Sequence, residues 1–375
     1  MSVRKVHLIA AARPNFMKVA PLWHALRAAP GFAPVLVHTG QHYDANMSGA
    51  ILRDLGLPDP DFHLGVGSGS HAEQTGRVMI EYGKVAQEHR PDWLVVVGDV
   101  NATPAAALVG AKLGLRVVHL EAGLRSRDRN MPEEINRIAT DAVSEVLWTP
   151  SPDADRNLIA EGVPPERITR VGNIMLDSFE RCRPAILAAR EPETLGLAGK
   201  PYAVVTLHRP SNVDTAPALR RLAACLSEVQ RGVPIVFPVH PRTAARLAEF
   251  GLAEPLAAAG VRLIEPLPYI RFMSLVAGAA LVVTDSGGLQ EETTYLSIPC
   301  LTLRENTERP ITIEEGTNRL ASAADLPRLV SRALNADRSL LPRPEYWDGM
   351  TAGRCVEDLR RRSGGGQSFS SRAAA

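Results

Sequence analysis

Pro91–Ser126 reads PDWLVVVGDVNATPAAALVGAKLGLRVVHLEAGLRS. Two short apolar runs, Trp93–Val97 and Val117–Leu120, flank a stretch rich in alanine. Each run is shorter than a typical helix and apolar at nearly every position, as a strand buried on both faces must be. Strand, helix and strand in that order make a crossover unit, and crossover units build parallel sheets. The first run ends in Gly98-Asp99 and the second in Glu121, so each delivers a carboxylate to a strand end.

The same alternation extends in both directions. Upstream the strand candidates are Val6–Ala10 and Pro34–His38. Downstream they are Tyr202–Leu207, Ile235–Val239, Val261–Ile264, Leu281–Thr284 and Cys300–Leu303. Helical periodicity lies between them, for example over Ala72–Glu88 and Glu133–Val146. At 375 residues the chain exceeds one ordinary core and predicts two domains. A break falls within Asp177–Pro201, where Pro184, Pro192, Gly196 and Gly199 interrupt a polar, alanine-rich stretch before a new buried strand. The expected organisation is a first Rossmann-like domain over 1–180, a second over 181–349, a last helix at about 350–362 and a disordered Gly/Ser-rich tail over 363–375. No internal sequence repeat is visible.

Composition removes several classes. Apolar residues make up 45% and charged residues 22%, which is globular rather than disordered. The 42 basic and 41 acidic residues leave a net charge of +1, without the basic excess of a nucleic-acid binder. The four cysteines, Cys182, Cys225, Cys300 and Cys355, form no CxxC pair, and Cys300 reads as a small core residue. The apolar stretch near the N-terminus is too short for a signal peptide, and no run is long enough to span a bilayer. The expectation is a cytoplasmic protein without nucleic-acid or membrane partners. Gly65–Ser70 has the spacing of a dinucleotide fingerprint but follows no strand and reads as a loop. No Walker, HExxH, nucleophile-elbow or catalytic-cysteine pattern occurs, so neither a metal nor a cofactor is expected.

In open parallel sheets ligands bind beyond the carboxyl ends of the strands. Asp99, Glu121, His208, His240 and Asp285 each follow an apolar run. One such residue often only caps a helix, but five together point to a binding cleft. After Leu281–Thr284 comes Asp285-Ser286-Gly287-Gly288-Leu289-Gln290-Glu291-Glu292. There a strand stops, Ser286 can cap, and Gly287 and Gly288 let a phosphate approach a helix N-terminus. Glu292 lies further along, placed to accept ribose hydroxyls. Arg13 and Lys18 follow the first strand and could reach the same kind of anion. Glu133 and Glu134 head a helix, where the macrodipole alone explains acidic residues. Arg309 either meets a phosphate or pairs with Glu308.

Taken in order, AARPNFMKVAPL, TGQHYD, VVVGDVNAT, HLEAGLRS, MPEEINR, VGN, TLHRPSNVD, PVHPRT, TDSGGLQEE and NTERP resemble the non-hydrolysing UDP-N-acetylglucosamine 2-epimerase family, from about Lys5 to Leu320. The resemblance implies an α/β protein of the glycosyltransferase-B type, two Rossmann-like doubly wound domains facing a central cleft, and a cytosolic homodimer acting on a UDP-sugar. It puts the catalytic carboxylates on Asp99, Glu121 and Glu133 and the catalytic histidine on His208. It puts substrate binding on Arg13, Lys18, His240, Phe272, Ser286, Gly287, Gly288, Glu292 and Arg309. The implied reaction eliminates UDP with the C2 proton to give a glycal, then re-adds UDP with the proton on the other face. Two departures stand out: Ala11-Ala12 replaces a usual glycine-containing pair, and EAGLRS lies two residues closer to PEE than in enteric-type members. The alternatives are the same chemistry on a 2,3-diacetamido uronic acid UDP-sugar, a hydrolysing 2-epimerase, a retaining glycosyltransferase and a non-enzymatic nucleotide-sugar sensor.

Overall fold

A computed structural model describes residues 3–40, 52 and 55–364, apart from the side chains of Arg13 and Ser339. The chain divides into two compact units, one of Met1–Ser178 with Asp348–Ala375, the other of Phe179–Trp347.

The first unit holds β1 (Arg4–Ala10), β2 (Phe32–His38), β3 (Phe62–His63), β4 (Trp93–Val97), β5 (Arg116–Leu120), β6 (Val146–Thr149) and β7 (Ile168–Arg170). All pair in parallel in the order β3-β2-β1-β4-β5-β6-β7. Every residue of β4 is buried, as its unbroken apolar run requires. The Ala102–Lys112 helix packs close because its facing residues are small. A Cβ on Gly110 would lie 2.6 Å from a methyl of Leu94 and 2.8 Å from one of Val117. The second unit holds β8 (Ala203–Thr206), β9 (Ile235–Pro238), β10 (Arg262–Ile264), β11 (Leu281–Thr284), β12 (Cys300–Thr302) and β13 (Asn318–Leu320). Its parallel order is β10-β9-β8-β11-β12-β13. Both sheets therefore reverse winding direction once, between β1 and β4 and between β8 and β11. Such a reversal splays the following loops apart and leaves a crevice at the strand ends. The α/β, doubly wound class expected from the sequence is borne out.

Some expectations need correction. The helix read over Glu133–Val146 runs Pro132–Val143, and Val146 already opens β6. A buried strand placed two residues after an amphipathic helix extends its apolar pattern, so periodicity alone misses the break. Strands β3, β7 and β13 escaped notice because they are two or three residues long and partly exposed. The first unit's opening segment ends at Ser178, inside the range read as the break, but Arg183–Ala189, read as part of an interrupted stretch, belongs to the Ile174–Ala189 helix despite Pro184. As expected, Gly65–Ser70 is a loop, and its Ser70 caps the His71–Glu88 helix. Cys300 is buried in the core, also as expected.

The first unit is completed by the helix Thr351–Gly364. Asp177 caps it from far away in sequence, accepting from the N–H of Thr351 at 3.1 Å and of Ala352 at 2.8 Å. Asp358 accepts from the buried Trp148 indole at 2.8 Å and from Arg362 at 2.9 Å. The helix outlasts the expected residue 362 because Ser363 is engaged. Its hydroxyl accepts from Trp93 Nε1 at 3.1 Å and its carbonyl from Arg4 at 2.9 Å. The rest of the tail lies outside the described residues.

Replacing Asp358 by alanine strands a buried indole N–H, so Asp358→Ala should cost about 1–3 kcal/mol in urea unfolding. Arg360→Ala, which breaks only an exposed pair with Glu357, should cost less than about 1 kcal/mol. Equal losses for the two variants would contradict this account of the helix.

Candidate active site

In the first unit, Val97 pairs with Leu120, so Gly98-Asp99 and Glu121 leave neighbouring strands side by side. Glu121 has φ 75°, a left-handed conformation that costs a non-glycine residue about 1–3 kcal/mol. The Trp148 carbonyl holds it there, accepting from the N–H of Glu121 at 3.1 Å and of Ala122 at 3.0 Å. The twist turns the Glu121 carboxylate onto Lys18, and the two form a buried ion pair. Gly98 makes room for it. A Cβ there would stand 3.1 Å from Lys18 Nζ and 3.2 Å from Glu121 Oε2, and φ is +67°. Asn15 ties the same helix to the sheet by donating to the Val97 carbonyl at 3.1 Å.

Asp99 is partly exposed and accepts from Arg137 at 2.5 Å. Arg137 is buried and gripped on its other side by Glu134, at 2.7 Å and 3.1 Å. Glu134 also takes the N–H groups of Ser126 and Arg127 at 2.9 Å each. Burial pushes its carboxyl up, but those N–H groups and Arg137 hold it below the ordinary range. Thus the second glutamate of PEE is structural, and the first, Glu133, is exposed at the head of the helix. The fixed cation on Asp99 was legible only as an i,i+3 spacing between Glu134 and Arg137.

In the second unit, Thr206 pairs with Thr284, which sets His208 beside Asp285 at the reversal point. Asp285 is fully buried and accepts from the backbone N–H of His208 at 3.0 Å, that of Arg209 at 2.9 Å and Asn212 Nδ2 at 3.0 Å. Burial would raise its carboxyl, but these donors and His208 keep it below its ordinary value. His208 Nδ1 lies 3.0 Å from Asp285 Oδ1, which fixes the imidazole and leaves Nε2 for a ligand. His240 stands 5.5 Å away, ring to ring. Its Nδ1 accepts from the N–H of Arg242 at 3.2 Å, capping the Pro241–Glu249 helix. Burial and the nearby His208 lower its pKa.

The Gly287–Tyr295 helix starts beside His208. Ser286 makes no side-chain cap, contrary to expectation; its N–H instead donates to Thr284 Oγ1 at 3.0 Å. The Ser286 side chain thus leaves the first-turn N–H groups uncapped, and such groups suit an anion. Arg309 is held at that end by Glu291 and Glu308, each at 2.8 Å. A Cβ on Gly287 would come within 3.0 Å of its guanidinium, while Gly288 faces open space. Glu292 is buried and accepts from Tyr269 at 2.8 Å. Phe272 is half-buried on the Tyr269–Ala277 helix.

The structure therefore brings Lys18, Asp99 and Glu121 together in the first unit. In the second it brings together His208, His240, Ser286, Gly287, Gly288 and Arg309. Lys18 serves Glu121 rather than standing open to an anion. The Arg13 side chain and most of TGQHYD lie outside the described residues. Among the described residues no helix is long and apolar enough to cross a membrane.

Residues 24–360 match the family model for UDP-N-acetylglucosamine 2-epimerase. A UDP-N-acetylglucosamine 2-epimerase of Methanococcus maripaludis is 39% identical over 352 residues, covering 92% of this chain and 93% of that protein. The UDP-2,3-diacetamido-2,3-dideoxy-D-glucuronate 2-epimerase of Pseudomonas aeruginosa is also 39% identical, over 324 residues, 85% of this chain and 89% of that one. A crystal structure of the Methanocaldococcus jannaschii UDP-GlcNAc 2-epimerase in complex with UDP-GlcNAc and UDP matches with a TM-score of 0.83 at 39% identity, covering 95% of this chain and 99% of that one.

Burial raises the Glu292 pKa from 4.5 to about 7. The unfolded chain releases this proton near the ordinary value, whereas the folded chain keeps it to about 7. Stability should therefore fall as pH rises between those values and level off above them, by at most about 1.4 kcal/mol per unit. Urea unfolding at about pH 5 and about pH 8 should show this loss in the wild type and a smaller one in Glu292→Gln. The same pH response in both proteins would refute the assignment.

Proposed function

Because the chain belongs to the UDP-N-acetylglucosamine 2-epimerase family, we propose that it interconverts UDP-N-acetylglucosamine and UDP-N-acetylmannosamine by inversion at C2. The observation that carries this reading is a pair of carboxylates at the ends of β4 and β5, each gripped by a buried cation, Asp99 by Arg137 and Glu121 by Lys18.

C2 of an N-acetylated sugar is too weakly acidic for direct proton exchange. Elimination solves this. The C1–O bond to UDP breaks as a carboxylate takes the C2 proton, and a 2-acetamido glycal and free UDP form in the site. Re-addition reverses both bonds, with the proton delivered to the opposite face of C2. The chemistry needs a base on one face, an acid on the other and support for positive charge at C1, by the logic of glycoside cleavage. Asp99, Glu121 and Glu133 fill these roles in our reading. His208, oriented by Asp285, stabilises or protonates the departing diphosphate. The open turn at Ser286, Gly287 and Gly288, with Arg309, stabilises its growing charge. Arg13, His240, Phe272 and Glu292 complete substrate binding, Glu292 through the ribose hydroxyls. No hydride moves, so the reaction calls on no nicotinamide.

The equal identity to the Pseudomonas aeruginosa protein supports a second reading, the same inversion on a 2,3-diacetamido uronic acid UDP-sugar. We take the protein to act in the cytosol as a homodimer, on the family resemblance; a monomer by sedimentation at working concentration would remove the second part.

Purified protein with UDP-N-acetylglucosamine alone should give an equilibrium mixture containing UDP-N-acetylmannosamine and no accumulating UDP. In heavy water both sugars should carry deuterium at C2. Free UDP with free N-acetylmannosamine would favour the hydrolysing alternative, and turnover of only the diacetamido uronic acid analogue would favour the second reading. Asp99→Asn and Glu121→Gln should each lower kcat about 10²–10⁴-fold while UDP affinity changes less than about threefold. Retained kcat in either variant would remove that residue from the chemistry.

A further inference from the structure

Behind the carboxylates of the first unit lies a buried polar set that the mechanism above does not use. His119, on β5, is fully buried. Its Nε2 is 2.9 Å from the Gly98 carbonyl and its Nδ1 is 2.6 Å from Asp141 Oδ1. A carbonyl oxygen can only accept. Asp141 is likewise an acceptor, because its other oxygen meets Arg125 at 2.8 Å and the Gly123 N–H at 3.1 Å. Burial would raise the Asp141 carboxyl, yet His119 and Arg125 hold it below the ordinary value. A neutral imidazole carries one N–H and would aim its remaining lone pair at an oxygen. Only the imidazolium donates to both partners.

Charge balance agrees. Arg125 also pairs with Glu161, at 2.8 Å and 2.7 Å. With His119 charged, two cations meet two carboxylates. Glu161 reaches the surface, where solvent screens it, so Asp141 is the buried carboxylate that both cations face.

The connections of this set give it a purpose. Gly98 immediately precedes Asp99, Gly123 follows Glu121 by two residues, and Asp141 lies on the Pro132–Val143 helix that carries Glu133 and Arg137. One ring thus bolts together the segments that present all three proposed catalytic carboxylates. We propose that His119 donates from both ring nitrogens, as an imidazolium, and that His119 and Asp141 are a positioning pair for those carboxylates. The positioning role rests on the epimerase reading; the charge state does not.

The test uses full-length protein labelled with ¹⁵N at histidine, with the His119 signals assigned by their loss in His119→Gln. Both ring nitrogens of His119 should give protonated signals, because each faces an oxygen that accepts. An unprotonated nitrogen overturns the charge assignment. In kinetics, Asp141→Asn should lower kcat about 10–100-fold with KM and UDP affinity within about twofold, as expected when reacting groups are displaced but not removed. A folded Asp141→Asn with wild-type kcat overturns the positioning role, as does a fall in stability alone with kcat per folded molecule retained. If Asp141→Asn does not fold, Asp141→Glu replaces it and should show kcat about 10-fold below wild type with the same KM; wild-type kcat in Asp141→Glu would overturn the role. The nitrogen spectrum needs no substrate, so its outcome separates this proposal from the epimerase reading.

Discussion

A carboxylate taken out of water must be met by a cation or by directed N–H groups, and both units are organised around that demand. Glu121 is met by Lys18, Glu134 by Arg137 and two backbone amides, and Asp141 by His119, Arg125 and an amide. Asp285 is met by two amides, an asparagine and His208. Glu291 and Glu308 share Arg309. Each arrangement fixes a group that faces a strand end. Removing one partner would leave the other buried and charged, which is more costly than never having buried the pair. Glu292 is met by a phenol instead, and it is the carboxyl whose pKa rises to about 7.

Much of the scaffold was readable because parallel strands buried on both faces are apolar at every position. Trp93–Val97 and Leu281–Thr284 stand out for that reason. Short edge strands such as Ile168–Arg170 satisfy no such rule, and β6 was absorbed into a helix that ends two residues before it. The strand-end residues Asp99, Glu121, His208 and Asp285 were readable too, since their chemistry follows their position in the fold. The partners were not. Lys18 meets Glu121 across 103 positions, and nothing local marks that pairing. Which glutamate of the PEE motif turns inward depends on the helix start, and the structure buries Glu134 and exposes Glu133.

The two sheets repeat one plan without any visible sequence repeat. Each reverses its winding beside its central strand, and each sets its polar residues there. What differs is the charge on offer. At that point the first unit presents carboxylates backed by cations, suited to moving a proton. The second presents histidines, an open helix start and an arginine, suited to an anion. The same backbone geometry thus serves opposite electrostatic ends, because the loops are free to vary while the buried strands are not.

The Thr351–Gly364 helix, which finishes the first unit, is encoded after the whole of the second. On a ribosome, the indole of Trp148 and the carboxylate of Asp177 therefore emerge long before the partners that satisfy them. The second unit, continuous in sequence, can close its own sheet in the meantime, whereas the first must wait for residues encoded after all of the second. A nascent chain halted before residue 351 would hold an open, adhesive face where a finished domain should be. The order of synthesis thus leaves the first unit incomplete for longer than the second.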